Sequence, residues 1–385
     1  MKSILFFLVM ISLAGCNTDQ PEETYLLPDP DVTKPSYAKG FHFSTIGDER
    51  FVQFFDLVNE EPVLSYSILL KDSTAYEFSL GKTVTLGANP DFATLSTAHL
   101  AYFLKIAGLD KVKGTAYAKW IQNESIKAEI TKGSIVDISG EKDIDFEKLV
   151  SLNPTALLTY PYGDTDYSLI EAAGIAVIPF SEYLEKHPLG RAEWIKVFGF
   201  LAGKETEANA IFDQIEAEYN SLIAIKETKT NAVTPEVFTG SHSNGKWYAP
   251  ARSSFIAQFI KDAGGHYLFD DASWDENLRE GENIEMDFEV FISKAAEADY
   301  WGKVVYEDSP LTYAKVKEED PRYSALNAFK NDGVFYCNAS ATDYFGDALL
   351  EPQYILADLM HLIHPEFFSP VDGYIPHYFQ PLLRE

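Results

Sequence analysis

Large aromatic side chains recur in the segments that follow apolar, strand-like runs, where a sheet would carry a binding site. Loops on a rigid sheet are common binding locations, and aromatic rings give a large contact area at a small entropic cost. Lys246 and Arg252 add positive charge near two of these rings. We therefore predict a pocket for a flat or bulky ligand, with packing between lobes as the alternative for each ring. The predicted ligand contacts are Tyr117, Trp120, Tyr160, Tyr162, Trp247, Tyr248, Arg252 and Trp301.

Patterns that could carry catalysis or bind a metal are weak in this sequence. The segment GSHSNGKW at residues 240–247 departs from a phosphate-binding loop, because Trp247 stands where a magnesium-binding Ser or Thr is required. No G-x-S-x-G nucleophile elbow occurs there. His361 and His364 lie three residues apart, but Pro365 follows at once, which favours hydrogen bonds to the backbone over a metal site. We predict neither a catalytic residue nor a bound metal.

The aromatic loops alternate with elements of two kinds. Between residues 82 and 179, short apolar runs are separated by single helical segments, and the same alternation resumes after residue 235. This order is typical of a mainly parallel sheet with helices on both faces, in which ligands bind beyond the carboxyl ends of the strands. We assign the strand at residues 83–86 to the first such sheet. A hairpin and one more strand, within residues 41–70, precede it.

A long amphipathic helix is predicted at residues 204–226. Apolar residues from Ala208 to Leu222 recur at the three-and-four spacing of one helical face, and at 1.5 Å per residue the helix is about 33 Å long. The segments 144–160 and 286–301 on either side both open with apolar-Asp-Phe-Glu. We therefore predict two lobes of one plan joined by this helix. The predicted boundaries are 41–203 for the first lobe with its leading hairpin, 204–228 for the linker helix and 229–385 for the second lobe.

Composition limits the classes of partner. The chain has 385 residues, of which 46% are hydrophobic and 14% aromatic, enough for two lobes with separate cores. The formal net charge is −28, which disfavours nucleic acid and anionic membrane surfaces as partners. The acidic residues are scattered, so most are expected on a solvated surface.

The amino terminus carries a short pattern typical of a targeting signal. A charged start and the apolar residues 4–13 end in LAGC at residues 13–16, which resembles the lipobox of bacterial lipoproteins. This resemblance implies a signal peptide at residues 1–15 and a lipid-modified Cys16, with an ordinary secretory leader as the alternative. Residues 16–40 are predicted to hold the lipidated cysteine and a flexible tether. Cys337 is the only other cysteine, so we predict that it is a buried strand residue without a disulfide.

Several short segments, in this order and spacing, resemble one family. They are GLDKVKG at 108–114, IDFE at 144–147, LNP at 152–154, AAGIAVI at 172–178, Trp194, Gly199, AGK at 202–204, WYAP at 247–250, Ser253, AGG at 263–265, ALNAFKNDGVFY at 325–336 and HPE at 364–366. Together they resemble the class III substrate-binding proteins of ABC importers, which handle ferric siderophores, cobalamin and haem. The resemblance extends from about residue 82 to about residue 368.

The resemblance implies an α/β fold of two Rossmann-like lobes joined by a single long rigid helix, with the ligand in the cleft between them. It implies capture of an iron(III)-siderophore-type chelate and delivery to an ABC permease without catalysis; cobalamin and haem are the alternative ligands. Glu147 and Glu289 match the family's glutamates that dock against permease arginines, with solvated helix glutamates as the alternative. Arg252 stands where relatives often have glycine, and it would favour an anionic ligand.

Two further classes of function remain open from the sequence. A chelatase-like or metal-dependent enzyme would need His99, His242 or His266 to converge with carboxylates in the cleft. A surface lipoprotein could instead pass its ligand to an outer-membrane receptor. We predict a monomer, anchored in the cell envelope by Cys16 and facing the periplasm, and the sequence leaves open which membrane holds the anchor.

Overall fold

The computed structural model describes residues 31–57, 63–70, 81–141, 144–160, 165–229, 232–279, 283–368 and 373–384. The predicted signal peptide, Cys16, most of the predicted tether and Tyr162 lie outside the described residues. The described chain forms two α/β lobes preceded by a separate small sheet. Among the described residues, no helix combines the length and apolar composition that crossing a bilayer requires.

The small sheet at the start is mostly antiparallel. The predicted hairpin is present, because β2 pairs with β3 in antiparallel register from Phe41 opposite Phe54 to Ile46 opposite Glu49. The strand that we assigned to the first parallel sheet is instead β5, which pairs with β4 and places Val84 beside the buried Ile68. The strands, in the order in which they lie in the sheet, are β1 Asp31–Thr33, β2 Phe41–Ile46, β3 Glu49–Asp56, β4 Val63–Leu69 and β5 Lys82–Thr85.

The first lobe contains a wholly parallel sheet. Its strands are β6 Phe92–Thr94, β7 Val112–Thr115, β8 Val136–Asp137, β9 Ala156–Thr159 and β10 Ala176–Pro179, in the spatial order β10-β9-β6-β7-β8. All four residues of β9 are buried, as expected for a strand covered on both faces. The helices of this part are α1 Thr97–Lys105, α2 Glu124–Lys132, α3 Phe146–Leu152, α4 Ser168–Ala172, α5 Pro188–Glu193 and α6 Ile195–Ala202.

The predicted long helix is α7, Glu205–Glu227. Its buried residues are Ala208, Phe212, Ile215 and Tyr219, which lie on the face that the sequence period indicated. α6 ends at Gly203, whose φ of 68° lies in the left-handed region that glycine adopts at low cost. A side chain at Gly199 would come within 2.5 Å of the Ala208 side chain, so the small residue lets α6 and α7 pack closely.

The second lobe has two sheets. One is parallel except for its last strand and has the order β14-β11-β17-β18-β19; the other is antiparallel and has the order β12-β13-β16-β15. The strands are β11 Glu236–Thr239, β12 Ser241–Ser243, β13 Lys246–Pro250, β14 His266–Tyr267, β15 Leu278–Arg279, β16 Asn283–Asp287, β17 Tyr300–Val305, β18 Val334–Asn338 and β19 Gln380–Pro381. The helices are α8 Phe255–Asp262, α9 Phe288–Ala295, α10 Tyr313–Glu319, α11 Asn327–Lys330 and α12 Pro352–Ile363.

The core is rich in aromatic residues. Trp194, Trp247 and Trp301 are fully buried, and Cys337 is a buried free thiol within β18, as predicted. Burial raises the pKa of the Cys337 thiol to about 11, so it stays protonated at neutral pH. Short 3₁₀ segments complete the fold at Leu109–Lys111, Ala118–Trp120, Glu182–Leu184, Ala272–Asn277, Pro321–Ala325, Asp347–Leu350 and Pro365–Phe367.

Candidate functional site: a cavity between the lobes

A cavity of about 1050 Å³ lies where the two lobes face each other. Its first-lobe wall comes from the segments that follow β6, β7, β9 and β10, and its second-lobe wall from those that follow β17 and β18. Parts of α5, α8 and α12 complete the lining. The cavity therefore occupies the place that strand order predicted, beyond the carboxyl ends of parallel strands. Ligand pockets commonly have about 300–1,000 Å³, so this one accommodates a large small molecule.

Three of the predicted aromatic contacts line the first-lobe wall: Tyr117, Trp120 and Tyr160. Tyr117 has a φ of 57°, a left-handed conformation that costs a non-glycine residue about 1–3 kcal/mol. Its backbone N–H donates to Ser139 Oγ at 2.7 Å, and that hydroxyl donates to Asp137 Oδ1 at 2.6 Å. These bonds hold the turn that brings Tyr117 to the cavity. Trp120 is 60% exposed although it is a large aromatic residue.

The second-lobe wall contributes aromatic residues that the sequence analysis did not select. Tyr306 follows β17, and Tyr344 and Phe345 follow β18. The rings of Tyr306 and Phe345 stack with a centroid distance of 5.9 Å and an interplanar angle of 5°, yet both side chains are more than half exposed. The exposed ring of Trp120 on the first lobe and this stacked pair on the second form a surface suited to a flat or conjugated ligand.

The positive charge of the cavity comes from Arg191 in α5. Arg191 is the one Lys or Arg among the described lining residues. Its guanidinium carbon lies 4.1 Å from the centroid of the Phe255 ring, which belongs to α8. Its Nε is buried and has no hydrogen-bond partner among the described residues. Arg191 can therefore donate a hydrogen bond to an anionic or carbonyl oxygen of a ligand.

The described lining residues include two carboxylates, Glu182 and Asp343, whose surroundings differ. Glu182 is almost fully buried, and its Oε1 lies 3.4 Å from Nε2 of the buried His99. Burial opposes ionisation of Glu182, but His99 and Arg191 outweigh it and lower the pKa of the carboxyl. Burial raises the pKa of Asp343 to about 6, and the nearby Asp347 adds to the increase. Glu182 is thus the more strongly ionised group of the two.

The structure places two of the predicted contacts in the core and away from the cavity. Trp247 lies inside β13, fully buried, and its ring stacks on Phe291 with a centroid distance of 3.7 Å. Trp301 is the second residue of β17 and stacks on Phe238 at 5.5 Å. Both strands are covered on the side of these rings, so the rings fill the second lobe and do not line the cavity.

Tyr248 and Arg252 also do not line the cavity. Tyr248 lies in β13, where it is paired with Ser241 on one side and with Glu285 on the other. Arg252 is on the surface and donates from Nε and Nη2 to Asp275, each at 2.9 Å at its shortest. The cation that we expected at Arg252 is therefore supplied to the cavity by Arg191.

A usable signal for the missed aromatic residues was present in the sequence. The rule that aromatic residues follow strands applies to Tyr306 and Phe345, which come directly after β17 and in the loop after β18. Trp301 does not follow its strand: it stands at the amino end of β17, opposite the ligand-facing end. Arg191 had no such signal, because it lies in a helix of six residues with little periodicity.

The histidines that would indicate an enzyme have separate surroundings. His99 lies beside Glu182, His242 stacks on Phe288 at 3.9 Å and His266 lies 3.6 Å from Glu236. In the part of the chain that the structure describes, no group of three or more His, Cys, Asp or Glu residues is placed to hold a metal ion. His99 therefore has one carboxylate of the cavity beside it, whereas the carboxylates beside His242 and His266 do not line the cavity.

Glu147 and Glu289 occupy equivalent positions in the two lobes. Each is in the first turn of a helix, α3 or α9, directly after an aspartate N-cap and a phenylalanine. Both side chains are exposed. Glu289 forms an ion pair with Arg322, which also pairs with Asp320. The repeated motif thus presents one surface carboxylate on each lobe.

Comparison with known proteins identifies the family. Residues 93–341, more than half of the chain, match the sequence profile described as periplasmic binding protein. The chain belongs to this family. Among sequence relatives, this periplasmic binding protein is 30% identical over 279 residues to a lipoprotein of Methanocaldococcus jannaschii. That alignment covers 70% of the present chain and 62% of the relative, so it leaves more than a third of the relative's length unmatched.

Solved structures share the fold of this periplasmic binding protein. A periplasmic heme binding protein from Pseudomonas aeruginosa aligns with a TM-score of 0.57 and 13% identity, over 77% of this chain and 99% of that one. An ABC-type Fe3+-hydroxamate transport protein from Saccharomonospora viridis aligns with a TM-score of 0.54 and 17% identity, over 80% of this chain and 98% of that one. The predicted two-lobed α/β architecture with a long connecting helix is confirmed.

Proposed function

We propose that this periplasmic binding protein captures an iron(III)-siderophore-type chelate in the cavity and delivers it to an ABC permease. The observation that carries the proposal is the lining of the cavity. Aromatic rings project from both lobes, and a single described cation, Arg191, has a buried Nε that lacks a partner. A siderophore chelate combines a bulky, partly conjugated body with peripheral oxygens, and therefore matches both features.

Haem and cobalamin are the alternative ligands. A flat macrocycle would also use the exposed rings of Trp120, Tyr306 and Phe345. The structural relatives include a heme binding protein and an Fe3+-hydroxamate transport protein, and a likeness at 13–17% identity supports the fold and not the choice between ligands. The ligand class therefore has to be decided by binding measurements.

Tryptophan fluorescence provides the test. The purified, detergent-solubilised protein is titrated with a ferric siderophore, with haemin and with cyanocobalamin. Trp120 is the one tryptophan among the described lining residues, so a ligand in the cavity should quench its emission. Saturable quenching by the ferric siderophore at micromolar concentration or below supports the proposal, and quenching by haemin or cyanocobalamin alone favours that alternative ligand. Absence of quenching and of retention by all three, checked by equilibrium dialysis, overturns it.

We also propose that Glu147 and Glu289 dock the protein on its permease. Their separation onto two lobes and their equivalent positions in α3 and α9 support this role, because a permease with two similar halves can offer two cationic sockets. Docking at Glu289 would exchange its ion pair with Arg322 for one with the partner. Solvated helix glutamates remain the competing interpretation, and transport assays separate the two.

The proposed location is the cell envelope, with the protein held as a monomer by a lipid on Cys16 and facing the periplasm. The lipoprotein description of the relative from Methanocaldococcus jannaschii supports the anchor. Replacement of Cys16 by Ser should move the protein from the membrane fraction to the soluble fraction. Digestion of intact cells with protease distinguishes this location from a cell-surface position.

A further inference from the structure

Three buried polar atoms on or beside residues that line the cavity have no hydrogen-bond partner among the described residues. They are Nε2 of His99, Oε2 of Glu182 and Nε of Arg191. Glu182 and Arg191 both line the cavity, and His99 lies beside Glu182. His99 and Glu182 are at most 2% exposed. Nothing in the proposed capture of a chelate explains why a carboxylate and its histidine should be buried here.

A buried polar atom without a partner is costly. Leaving a donor or acceptor unsatisfied in a folded protein costs about 1–3 kcal/mol, more for charged groups, so nearly all such atoms are paired. Because Glu182 and Arg191 belong to residues that line the cavity, a bound ligand is the nearest source of partners for their buried atoms. We call Glu182, Arg191 and His99 the polar subsite.

The chemistry of the polar subsite restricts the group that can complete it. Nδ1 of His99 lies 2.8 Å from Thr94 Oγ1, and this hydrogen bond fixes the orientation of the ring. The other ring nitrogen, Nε2, faces Oε1 of Glu182. The second oxygen of Glu182, Oε2, has no hydrogen-bond partner among the described residues. An ionised carboxylate only accepts hydrogen bonds, and a guanidinium only donates them. The matching ligand group must therefore present a donor to Glu182 and an acceptor to Arg191.

An amide combines an N–H donor and a carbonyl acceptor in one planar group. We propose that Glu182 is a specificity-determining residue that accepts a hydrogen bond from an amide N–H of the ligand, while Arg191 Nε donates to the neighbouring carbonyl oxygen. The preferred ligands are then amide-bearing chelates or corrinoids. Macrocycles that carry only carboxylates at their edge are disfavoured, because a carboxylate placed there would meet the buried carboxylate of Glu182.

The inference rests on the proposed function, and matched ligand pairs separate the two. The first pair is haemin and its bis-propionamide. The second pair is cyanocobalamin and the monocarboxylic acids that mild hydrolysis of its amides gives. A ferric trihydroxamate siderophore with internal amides is measured in the same way. Calorimetry on the detergent-solubilised protein gives the dissociation constants. In the pair that binds, we expect the amide member to have a dissociation constant at least about tenfold lower than the carboxylate member, which corresponds to about 1.4 kcal/mol.

The substitution Glu182→Gln assigns the preference to one residue. Glutamine keeps an oxygen acceptor but removes the charge, so the amide preference should fall to within about threefold. Asp343→Asn is the matched control, because it removes a carboxylate from the same cavity. It should change the dissociation constants of both members of a pair by a similar factor. Circular dichroism and thermal melting confirm that each variant is folded.

Each outcome bears on one of the two proposals. Tight binding of one pair by the wild-type protein without an amide preference overturns the polar subsite and leaves the proposed function standing. An amide preference that Glu182→Gln leaves intact also overturns the role of Glu182. If the wild-type protein binds none of the probes, the proposed function fails. Should Glu182→Gln not fold, the wild-type comparison of each pair still decides whether an amide is recognised.

Discussion

The guanidinium of Arg191 covers the face of the Phe255 ring, with its carbon 4.1 Å from the ring centroid. Arg191 belongs to α5, before the connecting helix, and Phe255 belongs to α8, after it. A cation held over an aromatic face is stabilised by about 0.5–2 kcal/mol, and the stacking restricts the side chain. The charge is thus positioned on the cavity wall before a ligand arrives.

Replacement of Arg191 by Ala should weaken binding of an anionic or amide-bearing ligand by about 10- to 100-fold. Hydrogen bonds to charged groups contribute about 1.5–3 kcal/mol, and each 1.4 kcal/mol corresponds to a factor of ten. Arg252→Ala is the control, because Arg252 is exposed and bonded to Asp275 outside the cavity. Isothermal titration calorimetry measures the dissociation constants of both variants. Equal affinities for the wild type and the Arg191 variant would contradict the role of this residue.

Replacement of Trp120 by Phe should abolish most of the ligand-induced quenching while the dissociation constant changes little. Trp120 is exposed at the cavity, and phenylalanine retains a ring for stacking. Fluorescence and calorimetry on the same samples separate the optical signal from affinity. Full quenching in the Trp120 variant would contradict the prediction, because tryptophans outside the cavity would then be reporting the binding.

Replacement of Trp247 by Ala should instead destabilise the fold. The ring is fully buried and stacked on Phe291, and truncation of a buried tryptophan costs about 3–5 kcal/mol. Urea unfolding measures the loss. Ligand affinity of the folded fraction should stay close to wild type, because Trp247 does not line the cavity. A stable variant with weakened binding would restore Trp247 as a ligand contact.

The stability of the protein should carry a pH dependence from Asp343. Its pKa is about 6 in the folded protein, against about 3.9 for an unperturbed aspartate. Between these values the folded state binds more protons than the unfolded state, so this group makes the free energy of unfolding fall as pH rises from about 4 to about 6. The contribution is flat at higher pH.

The variant Asp343→Asn removes that contribution. Its free energy of unfolding, relative to wild type, should therefore be higher at pH 7 than at pH 4.5. Urea unfolding curves at both pH values measure the difference, and subtraction of the wild-type curve removes the titration of other groups. A difference that is equal at the two pH values would contradict the raised pKa of Asp343.

Replacement of Tyr219 by Phe should destabilise the junction between α7 and the second lobe. The Tyr219 hydroxyl donates to Asp262 Oδ2 at 2.7 Å in a buried setting, and removal of the hydroxyl leaves the carboxylate with one donor fewer. We expect a loss of about 1–3 kcal/mol in urea unfolding. Ser221→Ala, an exposed change on the same helix, should stay within about 0.5 kcal/mol of wild type. Similar effects of the two substitutions would rule out a special role for the Tyr219 bond.

Removal of the charges at Glu147 and Glu289 should impair import without altering ligand binding. The double variant Glu147→Gln and Glu289→Gln keeps the size of both side chains and lies outside the cavity. Uptake of radiolabelled ligand by cells that carry the cognate permease should fall at least tenfold, and calorimetry should give an unchanged dissociation constant. Glu207→Gln on α7 is an exposed control that makes the same type of substitution outside the two motifs. Normal uptake by the double variant would favour the interpretation as solvated helix residues.

The sequence by itself predicted those elements that depend on local periodicity. The buried face of α7, the hairpin of β2 and β3 and the alternation of strands with single helices follow from the spacing of apolar residues, since that spacing determines which side of an element can be buried. The location of the cavity at strand ends also followed, because parallel strands share one carboxyl edge.

Tertiary structure decided which side chains reach the cavity. Trp247 and Trp301 are buried because neighbouring elements cover their side of β13 and β17, while Tyr306 and Phe345 remain exposed beyond the strands. Arg191 and Glu182 are brought together from two short elements without a periodic signal. A sequence pattern specifies which face of an element is apolar, but the packing of distant elements determines whether that face meets the core or a ligand.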